Sequence, residues 1–195
     1  MSPRVSQADE LLVKFNWDVE HCRHVSKLAV SLFDQLKSLH QLTGKERDIL
    51  AAAALLHDIG WTVSYQKHHK HSARLIHENA GRLPGFDAAE IELIGNVARY
   101  HRKADPALKH KPFADLPDDQ REVVRRLAAL LRIADGLDRP HWQAVREVQC
   151  EITSQQVRIG FRAVAEAGDH IAGATRKCSL FLKAFGLPVD FFVMS

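Results

Sequence analysis

Between Val25 and Leu39 a set of apolar residues recurs at Val25, Leu28, Ala29, Leu32, Phe33, Leu36 and Leu39. That spacing is close to 3.6 and predicts one long helix with a single apolar face, capped by Asp18. A short helix is expected before it, over Ser6 to Phe15, with Ser6 as the cap. Thr43 and Glu46 have capping-box spacing, which predicts a third helix from Lys45 to Ile59 that Gly60 ends. Gln66 to His71 is expected to be a histidine-rich loop leading into a fourth helix that stops near Ala80. Leu83-Pro84-Gly85-Phe86 has turn composition, and Asp87 with Glu90 opens a fifth helix through Ile91, Ile94, Ala98 and His101. Pro106, Pro112 and Pro117 make Lys103 to Pro117 a long loop, a length often tied to function. Asp118 or Asp119 begins a sixth helix that passes through Leu127, Leu130, Leu131 and Ala134 to about Asp138.

After Pro140 the period drops to two. Val148, Cys150 and Ile152 alternate with polar residues, as do Val157, Ile159 and Phe161 beyond the link Ser154-Gln155-Gln156. This predicts a β-hairpin. A helix over about Ile171 to Phe185 follows, closed by Gly186 and Pro188, and Val189 to Met194 can form a third strand. The expected fold class is mainly α, with a helical domain over residues 1–140 and a small C-terminal α/β lobe over residues 141–195. No internal repeat or low-complexity segment interrupts it.

The chain has 195 residues, 46% hydrophobic and 26% charged, an ordinary globular composition. Its longest apolar run, Ile49 to Leu56, is far short of the ~20 residues of a membrane span. No charged-then-apolar leader opens the sequence, and its odd cysteines, Cys22, Cys150 and Cys178, are widely spaced. Both features predict a cytoplasmic protein without a disulfide framework or membrane partner. A net charge of +3 is a mild bias toward anionic partners. There is no arginine-rich stripe or interleaved aromatic track, which argues against nucleic acid. Trp17, Trp61 and Trp142 stand near helix ends and are assigned to packing.

Histidine changes this picture, with 12 copies. His21 lies one turn before Val25 on an apolar stripe, so it points toward the core. His57 continues the stripe of Leu50 and Ala53, and Asp58 follows it. Asp135 continues the stripe of Ala128 and Leu131, and His101 follows Val97 and Ala98 by one turn. A carboxylate facing a helical core needs a partner, because burying it unpaired is costly. Hydrogen-bonded core histidines or an Asp135 pair with Arg132 or Arg139 would explain each residue singly. Together, imidazoles and carboxylates from separate helices form a donor set suited to a divalent ion such as Mn²⁺, Fe²⁺, Zn²⁺, Co²⁺ or Ni²⁺, or Mg²⁺ with more water.

The pattern His21…His57-Asp58…Asp135 resembles the H…HD…D signature of the HD superfamily of metal-dependent phosphohydrolases. Further segments are His69-Lys70-His71-Ser72, Leu83-Pro84-Gly85-Phe86, Arg99-Tyr100-His101-Arg102-Lys103 and Leu131-Arg132-Ile133-Ala134-Asp135-Gly136-Leu137-Asp138-Arg139. With Arg176-Lys177 and Phe185-Gly186, they resemble the C-terminal region of the exopolyphosphatase and guanosine-pentaphosphate phosphatase family. Full-length members of that family begin with an actin-like ATPase-fold region, which a chain of this length is not expected to hold. The family's exopolyphosphatase activity is therefore not carried over.

The resemblance implies that His21, His57, Asp58 and Asp135 hold one metal. In a two-metal site Asp58 would bridge, with His71 and His101 completing the second position, while His69 is the weaker candidate and faces solvent. Asp58 and His101 would be the catalytic pair. Lys70, Arg102 and Lys103, beside these histidines, are the expected phosphate-binding residues. Three readings stay open: a divalent-metal phosphohydrolase acting on a nucleotide, alarmone or other phosphate ester or anhydride; a non-catalytic module binding polyphosphate or a nucleotide; and a two-iron oxygenase. The α/β lobe has no readable motif, and either a cover for the helical body or a homodimer contact would suit it.

Overall fold

Strong caps start several of the helices. The computed structural model describes residues 2–164 and 168–194. Helix α1 (Pro3–Phe15) is capped by Ser2, whose hydroxyl accepts from the Val5 amide; Ser6, the expected cap, lies inside it. Pro3 suits the first turn because its missing N–H has no helical partner there. Helix α2 (Val19–Gln35) is capped by Asp18 as expected but stops earlier, and the chain re-forms as the short α3 (Lys37–His40). Helix α4 (Gly44–Leu56) opens with the Thr43–Glu46 capping box. Every residue from Ile49 to Leu56 is buried, so α4 is the central helix, packed by α1 and α2.

The chain leaves α4 through His57 and Asp58 into a 3₁₀ turn over Ile59–Thr62. Helix α5 (His68–Glu78) follows, and the expected loop over Gln66–His71 is in part its first turn. Gly60 permits this arrangement: a β-carbon there would collide with the His68 carbonyl and the Ser72 amide. The Gly60 amide donates to Ser72 Oγ at 2.9 Å, which ties α5 to the turn. Helix α6 (Ala88–Arg99) has the expected Asp87–Glu90 capping box, but it ends before His101. The proline-rich stretch contains a short helix, α7 (Lys111–Ala114). Helix α8 (Asp118–Leu137) follows and packs on α2, α4 and α6.

Strands β1 (Val145–Ile152) and β2 (Val157–Ala163) are the expected antiparallel hairpin. The single helix expected over Ile171–Phe185 is two, α9 (Gly168–Lys177) and α10 (Ser179–Phe185). Strand β3 (Val189–Val193) then pairs parallel to β2, with Ile159 opposite Phe191. A parallel pair needs a crossover, and α9 with α10 supplies it. The sheet order is β1-β2-β3, and the Gln35 side chain bonds both Val148 O and Cys150 N on the free edge of β1. The fold is thus mainly α with a small α/β element. Glycines let α9 lie directly on α8: a β-carbon on Gly136 would sit 2.7 Å from the Ala174 Cα. No helix among the described residues is long and apolar enough to cross a membrane.

Candidate metal centre

Six side chains meet where α2, α4, α5, α6 and α8 converge. His21 comes from the first turn of α2, His57 and Asp58 from the end of α4, and His68 from the start of α5. His101 lies two residues past α6, and Asp135 lies in the last turn of α8. All six are buried. Two donor groups result among these six, His21 with His57 and Asp135, and Asp58 with His68 and His101, and a third joins His21 and Asp58 to the half-buried His141. Asp58 lies between them: its Oδ2 is 3.6 Å from His57 Nε2, and its Oδ1 is 3.3 Å from His68 Nε2 and 3.5 Å from His101 Nε2. His21 Nε2 is 3.8 Å from Asp135 Oδ1.

The backbone and one further carboxylate fix the tautomers. His57 Nδ1 bonds the Ala54 carbonyl and His101 Nδ1 the Ala98 carbonyl, both at 2.7 Å. His68 Nδ1 bonds the Tyr65 carbonyl at 3.2 Å, and His21 Nδ1 bonds Asp138 Oδ2 at 2.8 Å. A carbonyl or carboxylate only accepts, so Nδ1 carries the proton in His21, His57 and His101. In the neutral forms of those three rings Nε2 is then a lone pair turned to the centre, whereas the Arg102 guanidinium, a donor only, lies 3.3 Å from His68 Nδ1 and 3.2 Å from its Nε2. His21 Nε2, His57 Nε2 and Asp58 Oδ1 are buried with no hydrogen-bond partner among the described residues. An orphaned buried polar atom costs about 1–3 kcal/mol. Convergent orphans on imidazole and carboxylate fit a divalent cation, as the chemistry of the donor set requires.

Electrostatics agrees with this geometry. Burial pushes the His101 imidazole well below its ordinary value, despite Asp58. Burial also outweighs Asp58 at His68 and holds it low. At His21 burial is opposed by Asp138, Asp135 and Asp58, which together hold its pKa above the ordinary value. Burial would raise the Asp135 carboxyl, but Lys177 and then His57, His101 and His21 hold it far below the carboxylate range. Lys177, at the end of α9, donates directly to Asp135 Oδ2.

Four of the donors, Asp58, His68, His101 and Asp135, line a cavity of about 260 Å³ whose rim is basic, with Arg102, Lys103, Arg139, Arg176 and Lys177. Trp61 stacks on His68 at 4.7 Å and is backed by Trp17 at 5.4 Å. Trp142, assigned to packing, is instead exposed.

Of the expected residues, His21, His57, Asp58, His101 and Asp135 come together, and Arg102 and Lys103 stand on the rim. His71 does not join them: it is half-buried and belongs to none of the donor groups among the described residues. His68 stands in its place, because α5 begins there and aligns His68 with Ser72 and Ile76 on the buried face. That i, i+4, i+8 alignment was the signal available in the sequence. His69, expected to face solvent, is buried. Lys70 lines a neighbouring cavity rather than this one. His141 is not among the expected site residues, and Asp138 and Lys177 enter the expectation only within the resembling segments. His141 stacks on His21 at 3.6 Å and bonds Asp18 at 2.5 Å.

A family model described as Ppx/GppA phosphatase, domain III, matches residues 4–168. A guanosine-5'-triphosphate,3'-diphosphate pyrophosphatase of Aeromonas hydrophila is 35% identical over 131 residues, 65% of this chain and 25% of that protein. A protein of the same name from Aliivibrio fischeri strain MJ11 is 32% identical over 119 residues, 60% of this chain and 24% of that protein. The match thus spans about a quarter of the length of these curated relatives.

Proposed function

Because this chain belongs to the Ppx/GppA phosphatase family, matching its domain III, we propose that it is a divalent-metal-dependent phosphohydrolase of the HD superfamily. Its substrate is a nucleotide, an alarmone or another phosphate ester or anhydride. The observation that carries this reading is the set of partnerless buried ligand atoms, His21 Nε2, His57 Nε2 and Asp58 Oδ1. The names of the relatives make a guanosine nucleotide phosphorylated at both ends the first substrate to try.

His21, His57, Asp58 and Asp135 would hold one ion, and Asp58, His68 and His101 a second, so that Asp58 serves both. A divalent ion supplies Lewis-acid chemistry when bound, acidifying water and offsetting phosphoryl charge. The chain supplies the rest. Nδ1 bonds keep the four imidazoles turned inward, and Asp138 orients His21. Arg102, Lys103, Arg139 and Arg176 on the rim would hold non-bridging phosphoryl oxygens, by bidentate forks or point charges. Lys177, bonded to Asp135 here, would turn to the phosphoryl oxygens once a cation neutralises that carboxylate.

The Lys177–Asp135 contact also favours a second reading, a non-catalytic module that binds polyphosphate or a nucleotide, with the ammonium in place of a metal. Metal content separates the two. After loading with Mn²⁺ and desalting, plasma mass spectrometry is expected to find one or two ions per chain, absent from Asp58→Ala. The loaded wild type should release phosphate and the variant should not. A wild type that retains no metal and releases no phosphate would leave the binding module.

A further inference from the structure

Beside the metal cavity, sharing Arg102 and Lys103 with it, lies a second cavity of about 240 Å³. Its walls carry Lys67, Lys70, Arg99, Arg102 and Lys103, and none of its lining residues is a carboxylate. Among the described residues none of these five cations has a carboxylate partner, although the chain forms many ion pairs elsewhere. Clustered like charges repel, so such a grouping stores unfavourable energy until an anion arrives.

Two further features point to a ligand. Helix α5 begins in the cavity wall, with no side chain capping it and no acidic residue in its first turn. Its positive end is left for an outside partner. His69, in the same wall, is buried, and its Nδ1 has no hydrogen-bond partner among the described residues.

The wall is also held in place. Arg132 is buried and donates to the carbonyls of Tyr100, Lys103 and Ala104 and to Asp105. Those bonds fix the segment that presents Arg102 and Lys103. The Tyr100 hydroxyl bonds His110 Nδ1 at 3.0 Å, joining two further lining residues.

We propose that this cavity is an anion subsite for a phosphoryl group of the substrate other than the one being cleaved. The substrate class is then one that carries at least two phosphoryl groups, with Arg102 and Lys103 placed between them. The assignment of the bound group to the substrate rests on the phosphohydrolase reading, whereas the anion site itself stands on its own geometry.

The test compares the full chain with its Lys67→Ala/Arg99→Ala double variant. Both are stripped of metal on chelating resin and titrated calorimetrically with inorganic tripolyphosphate near 0.15 M salt, where the screening length is about 8 Å. The wild type is expected to bind, and the variant to bind at least about tenfold more weakly, as for lost charge-assisted contacts. No binding by the wild type, or equal binding by both, would overturn the proposal.

With Mn²⁺ restored, KM for tripolyphosphate should rise by a similar factor in the variant. KM for p-nitrophenyl phosphate, which has one phosphoryl group, should stay unchanged. An equal rise for both would overturn the assignment to a remote group. If the loaded wild type hydrolyses neither compound, the phosphohydrolase reading fails, and the calorimetric arm still decides the anion site.

Discussion

Asp138→Asn should weaken metal binding without unfolding the protein. Asp138 is fully buried and accepts from His21 Nδ1 at 2.8 Å and from the Gln143 amide at 2.8 Å. A carboxylate serves both donors, but a carboxamide has only one accepting atom. If its oxygen faces Gln143, its NH₂ faces His21, and the imidazole must move its proton to Nε2. That is the atom turned to the candidate metal. If its oxygen faces His21, two N–H groups meet at Gln143. Changes in such supporting bonds cost about 10–100-fold in metal affinity, or about 1.4–2.7 kcal/mol. The assay is Mn²⁺ titration of wild type and variant, each first stripped of metal, with their melting points measured alongside. In a His21→Ala background the same change should have almost no further effect, since its route through His21 is gone. An unchanged Kd in the single variant, with an unchanged melting point, would refute the reasoning.

Three further outcomes are expected. Gly60→Ala forces a β-carbon against the His68 carbonyl and the Ser72 amide; the cost should be about 1–3 kcal/mol in urea unfolding, and an unshifted midpoint would refute the close approach. Arg132→Met strips three carbonyls and Asp105 of their buried donor; it should cost about 3 kcal/mol or more by the same measurement, and a neutral result would refute the buttress. Burial first, then His68, Arg102, Arg99 and Lys103, holds His69 down to about 4 from an unfolded value of 6.5. Between those values the unfolded chain binds the extra proton, so the contribution of His69 is full above pH 6.5 and is lost as pH falls toward 4. In metal-stripped protein His69→Gln should flatten the pH dependence of the urea midpoint across that window, and an identical slope would refute the assignment.

Local signals fixed what they could reach. The Thr43–Glu46 and Asp87–Glu90 capping boxes are side-chain-to-backbone bonds within one turn, so their residue types alone place α4 and α6. Helix α5 offers no such signal: Lys67 is its N-cap and forms no side-chain bond. Its expected start is therefore late, and the resemblance puts His71 where the structure has His68. The break at Cys178 between α9 and α10 likewise carries no proline or glycine. Stripe arithmetic did bring His21, His57 and Asp135 to one interior, because each lies on or at the end of a helix with a clear apolar face.

The Lys177–Asp135 bond has a different origin. It joins residues 42 apart, and no period or cap predicts it. It depends on Gly136 and Gly173 allowing α9 to touch α8, which sets the last residue of α9 over the last turn of α8. Lys183 adds a second link, to Asp105 at 2.7 Å, in the segment that Arg132 also holds. The C-terminal elements thus contribute charge directly to the metal cavity through Arg176 and Lys177, and tether the segment beside the second cavity through Lys183. Removing a metal ligand and removing this segment are for that reason different perturbations. The first takes away the floor that attracts a cation, and the second takes away part of the rim that attracts an anion. A protein that needs both to hold a phosphorylated ligand should lose binding under either, but should lose metal only under the first.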